Sequence, residues 1–93
     1  MDHDTEAYSR NVAKLQRIVS LLREADVAAD LRFPGYIQIG SRLYGAITGA
    51  HWAFEDGSEW GDLLVPSSEK DPAKIADAIA KTEKRFSCRA VQQ

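Results

Sequence analysis

Apolar residues return at three- and four-residue steps through the first quarter of the chain. Tyr8, Val12, Leu15, Ile18, Val19 and Leu22 share one face of a helix that this spacing predicts from about Thr5 to Glu24. Asp4 or Thr5 is placed to accept hydrogen bonds from the first turn, and Glu6 precedes Arg10 by four residues, the favourable order for an ion pair. Ala25, Val27, Ala28 and Ala29 either extend this helix or form a turn. Proline disfavours the helical region at the residue before it, so Phe33 before Pro34 lies beyond the helix end.

From Leu31 to Val65 the period drops to two. Ile37 and Ile39 alternate with Tyr36 and Gln38 as in a half-buried strand, and Gly40-Ser41 then supplies a turn. Leu43 to Thr48 returns as a second strand, and Gly49 marks a bulge or a bend. Trp52 and Phe54 share one face of the continuation, so residues 42–55 form either one bent strand or two. Asp56-Gly57 is a hairpin signal, since both residues tolerate positive φ, and a last strand runs from Glu59 to Val65 before Pro66.

The final helix starts at Asp71-Pro72. The aspartate caps the first N–H groups, and proline takes the first helical position, where a missing donor costs nothing. Ile75, Ile79, Thr82 and Phe86 mark its buried stripe, and Ala76, Ala78 and Ala80 allow close approach to a sheet. Lys81, Lys84 and Arg85 complement the dipole at its C-terminal half. The expected fold is α+β in the order α-β-β-β-α: an antiparallel meander of three strands, or four, with both helices on one face. Residues 1–93 form one domain, with frayed ends at about 1–4 and 87–93.

Composition narrows the chemistry. Twelve basic and fourteen acidic residues give a net charge of -2, too even for a nucleic-acid binder that works mainly by charge. Cys88 is the single cysteine, which excludes an intramolecular disulfide and a multi-cysteine zinc site. Met1-Asp2-His3-Asp4 lacks the basic and apolar regions of a signal peptide, and no apolar run approaches the roughly 20 residues that cross a bilayer. A soluble, cytoplasmic protein without membrane insertion is the expectation.

No catalytic set emerges. His51 with Glu55, Asp56, Glu59 and Asp62 is the densest potential metal cluster, but its spacing matches no metal loop, and charged residues also keep a sheet edge soluble. Glu55 and Glu59 flank a turn tip rather than a cleft, as paired hydrolytic carboxylates would require. Neither a G-x-S-x-G elbow nor a glycine-rich phosphate loop is present. The chain is therefore read as a non-enzyme with no cofactor and no metal.

Two surfaces remain. Arg10, Lys14 and Arg17 form a basic stripe on the first helix, suited to phosphates or to an acidic partner; a nucleic-acid-binding domain using this stripe is the alternative function. The element order resembles the double-stranded-RNA-binding domain, which implies a basic cluster at the start of the last helix. Here Ser68-Glu69-Lys70-Asp71-Pro72 has two acids and one lysine, so that phosphate clamp is missing. The second surface is aromatic: Tyr36, Gln38, Tyr44, Trp52 and Trp60 all lie in or beside the strands, a composition suited to a protein interface. Both tryptophans in the core, or one on the interface, are equally compatible with the pattern. Leu15, Ile18, Leu22 and Ala25 offer a further interface candidate, for self-association into a homodimer, but the same stripe is needed to cover the sheet and that use has priority.

In size and in its richness in Ala, Arg and Asp the chain resembles the small accessory proteins of actinobacterial phages. That resemblance implies a module that binds a cytoplasmic host protein and modulates or inhibits it. A protein-binding module of this kind is the function the sequence favours.

Overall fold

The structure, a computed structural model, describes the backbone of residues 2–32, 35–46, 49–57 and 59–92, and side chains within 12–86 of that set. Helix α1 (Asp2–Glu24) precedes strands β1 (Ala29–Arg32), β2 (Tyr36–Ile39), β3 (Arg42–Gly45), β4 (His51–Asp56) and β5 (Glu59–Pro66), and helix α2 (Pro72–Gln92) follows. The strands form one antiparallel meander in chain order, with β1 and β5 at its edges.

Helix α1 ends where its sequence turns apolar and short. Asp26 adopts φ 64°, the Val27 N–H reaches back to the Leu22 carbonyl at 2.9 Å, and the Asp26 N–H reaches that of Arg23 at 3.0 Å. This paired capping closes the helix with Val27 beside Leu22. The turn, not the extension, is therefore what Ala25–Ala28 form. The Arg23 guanidinium then binds the Ala29 carbonyl and the Asp30 carboxylate, tying the helix end to β1. At the start of α2 the Asp71 carboxylate accepts the Ala73 N–H at 3.0 Å, the cap its sequence predicts. The helical backbone of α2 continues to Gln92, beyond the last residue of its apolar period.

The meander holds one strand more than the upper expectation. Residues 29–32 add β1, and 42–55 divide into β3 and β4 around Gly49, which has φ 83°. The turn signals act as read: Ile39 pairs with Arg42 around Gly40-Ser41, and Asp56 pairs with Glu59 around the turn at Gly57.

Both helices cover one sheet face. Leu15, Ile18 and Leu22 of α1, with Ile75 and Ile79 of α2, pack on Ile37, Ile39 and Tyr44. Strand alternation carries the other set of side chains to the uncovered face. There, cross-strand partners form a row of Asp30, Gln38, Leu43, Glu55 and Trp60 that spans all five strands. Among the described residues no helix is long and apolar enough to cross a membrane.

Phe33-Pro34 and the side chains of Tyr8, Arg10 and Cys88 lie outside the described residues. Ile79 is fully buried between α1 and the sheet. Ile79→Ala is expected to lower the unfolding free energy by about 2–4 kcal/mol in chemical denaturation; a near-neutral change would mean that this helix face does not carry the core.

Candidate functional site

Three of the five aromatic-surface residues reach the uncovered side. Tyr36 lies across the strand so closely that a Cβ on Gly45 would stand 2.5 Å from its Cδ1. Gln38 and Trp60 belong to the five-strand row, and Trp60 is 67% exposed. Tyr44 and Trp52 instead point toward the helices and are buried. The reason is register: with Ile39 paired to Arg42, Tyr44 falls opposite Ile37 and shares its face. The Trp52 indole N–H meets no acceptor among the described residues, and a buried N–H left without a partner costs about 1–3 kcal/mol.

The basic stripe of α1 is also divided. The Lys14 ammonium donates to the Glu69 carbonyl, pinning the segment before α2, whereas Arg17 is exposed. His51 and Glu55 stand at opposite ends of β4, about 13 Å apart at the rise of a strand. Among the described residues no three His, Cys, Asp or Glu side chains converge to hold a metal.

The most organised polar cluster was not legible as a site. Glu83, on the sheet-facing side of α2, accepts Arg42 Nε and Nη2 at 2.6 Å each, a two-pronged pairing, and also accepts the Tyr44 hydroxyl. The Arg42 and Glu83 side chains are only 20% and 12% exposed, so water screens the pair weakly. The Asp56 carboxylate lies 3.9 Å from Arg42 and accepts the Ser41 hydroxyl. Hydrogen bonding to Glu83 holds the Arg42 guanidinium in its charged form even more firmly than usual, against its burial. Burial first, and then the hydrogen bond to Glu83, pushes the Tyr44 phenol well above its ordinary range.

That cluster positions an apolar patch. One turn beyond Glu83, Phe86 meets Phe54 edge-on with ring centroids 5.3 Å apart, and Arg42 sits 4.3 Å over the Phe86 ring. Phe54 lies flat on β5 because Gly61 lacks a Cβ, which would stand 2.7 Å from Phe54 Cε1. Between this aromatic floor and α2 opens a trough of about 810 Å³, walled by Trp60 and Glu59 on one side and by Lys81, Lys84 and Arg85 on the other. A smaller cavity of about 300 Å³, sharing Lys81, Thr82 and Arg85 with the trough, follows β5 past Leu63 and Leu64.

Leu64 stands out within that strand. It is 85% exposed and holds φ 61°, beside the register shift between β4 and β5. A left-handed backbone costs a residue with a Cβ roughly 1–2 kcal/mol, and exposure returns none of it. The Leu63-Leu64 pair was the available signal, since two successive leucines in an alternating strand cannot both face the core.

Fold and site together define a small α+β meander protein with, among the described residues, a sheet edge that borders an aromatic trough. Comparison with protein-family models, with curated proteins and with solved structures finds no match to this chain.

The Tyr44 linkage makes a signed prediction. A phenol whose folded-state pKa is raised stays protonated after the unfolded chain has begun to lose its proton, near pH 10. Its stabilisation is therefore complete below about pH 10 and declines as pH rises beyond it. Denaturation at successive alkaline pH should show this decline, and Tyr44→Phe should flatten it; an unchanged slope in Tyr44→Phe would refute the assignment.

Proposed function

We propose that this protein is a non-enzymatic binding module that occupies the surface of a partner protein and so modulates or inhibits it. The observation that carries the reading is the edge strand β5, which presents Trp60 and Leu64 to solvent, the latter at a conformational cost that folding does not repay. Exposed aromatic and aliphatic side chains around an apolar trough are the usual anchors of a protein interface. The even charge balance supports a protein partner over a polyanion. Its size and composition, similar to those of small phage accessory proteins, favour a bacterial cytoplasmic protein as that partner.

Affinity capture from bacterial lysate, with nuclease treatment at low and high salt, tests the reading. A single protein should survive both challenges. Recovery of nucleic acid alone, lost at high salt, would replace this reading with one based on Arg17 and the rest of the α1 stripe.

The two tryptophans separate folding from binding. Trp60→Ala should leave thermal unfolding nearly unchanged and reduce capture, whereas Trp52→Ala should destabilise by about 3–5 kcal/mol. Equal destabilisation by both would remove Trp60 from the interface. Leu64→Gly should raise the unfolding free energy by about 0.5–1 kcal/mol, the relieved strain less the entropy of glycine, while weakening capture. A marked loss of stability would instead make Leu64 a folding residue.

A further inference from the structure

The trough beside β5 has a character that narrows what it binds. Its α2 wall carries Lys81, Lys84 and Arg85, opposed among the described lining residues only by Glu59, on a chain whose net charge is -2. Lys81 is engaged by Asp77 at 3.0 Å, whereas Lys84 and Arg85 form no ion pair among the described residues. The wall is thus a local reversal of the protein's overall sign, placed directly over an apolar floor of Phe54 and Phe86.

The other border is an unpaired strand. β5 ends the sheet, so alternate N–H and C=O groups on its outer side have no strand partner among the described residues. From Glu59 to Asp62 the strand pairs regularly with β4 on its inner side, and the register shift that follows, with the left-handed backbone at Leu64, ends that regular run. A segment of about four residues therefore fits alongside, its side chains alternating between the trough and the uncovered face.

From this geometry we infer that the trough takes an extended acidic peptide of a partner protein, added as a sixth strand to β5. A large apolar side chain enters between Trp60, Phe54 and Phe86. Acidic side chains two positions away on the same face of the peptide reach Lys84 and Arg85. A second copy of this chain is the poorer occupant: two-fold pairing of β5 with itself would bring two α2 walls of the same sign together. The inference rests on the binding-module reading and specifies its ligand.

Panning a random dodecapeptide display library on the immobilised full chain tests it. Enriched peptides should carry an aromatic or large aliphatic residue with Asp or Glu two positions away. The best synthetic peptide should bind with an affinity that falls as salt rises. Lys84→Glu combined with Arg85→Glu should weaken it by about tenfold or more, as should Trp60→Ala, with circular dichroism and melting unchanged. Peptides lost with Trp60→Ala but indifferent to the charge reversal would overturn the acidic class while leaving the β5 surface standing. Enrichment of peptides insensitive to all three substitutions, or no enrichment, would overturn the site itself. Sedimentation that shows a dimer abolished by Trp60→Ala would assign the edge to a second copy and overturn the peptide proposal.

Discussion

Glu83 holds the far half of α2 onto the sheet, and the shape of the binding edge follows from that attachment. Near its start α2 is fixed by ordinary burial of Ile75 and Ile79. Further along, the sheet offers Arg42 and Tyr44 in place of an aliphatic patch, and one carboxylate accepts hydrogen bonds from both. Replacing such a partly buried pair with apolar residues is often neutral for stability, because desolvation offsets most of the attraction. What the pair supplies here is position: the fork geometry fixes the rotation of α2, and Phe86 then lands on Phe54 with Arg42 above it. Without that fixed rotation the trough would have neither a floor nor a basic wall.

The two edges of the sheet are treated differently, and the contrast singles out β5. β1 is four residues long, and Asp30 on it is held by Arg23 of α1. A short, charged edge of this kind resists pairing with other chains. β5 is eight residues long and carries Trp60 and Leu64 outward beside the charged Glu59 and Asp62; its regular run is broken at Leu64, where the backbone turns left-handed, before the strand ends at Pro66. Its first four residues remain a regularly paired strand beside an apolar trough. An edge of that composition on an isolated domain is an aggregation hazard unless a partner covers it.

Much of this architecture was legible in the sequence, and the parts that were not share a cause. The two helices, their faces, the Asp71 cap and both tight turns follow from spacing and from local turn chemistry, which act within a few residues. The face of Tyr44 was also implicit, because a turn at Gly40-Ser41 forces it opposite Ile37. Trp52 was harder, since its side depends on how β4 registers against β3 across the connection near Gly49. β1 escaped notice because Ala29–Arg32 has little alternation of its own and exists by pairing with β2. The Glu83 cluster depends on the rotation of α2 over β3, a relation between residues some forty positions apart. Lys81, Lys84 and Arg85 were read as complements to the helix dipole, and only the packed structure brings them to the mouth of an aromatic pocket.

Amide hydrogen exchange of the chain, free and bound to the partner recovered by affinity capture, addresses the central claim most directly. The account predicts that binding slows exchange at the outward N–H groups of Glu59–Asp62 and shields the α2 segment around Lys81–Phe86, while the α1 amides stay as they were. Protection confined to α1, or to the β1 edge, would contradict it and move the binding surface to the opposite side of the molecule.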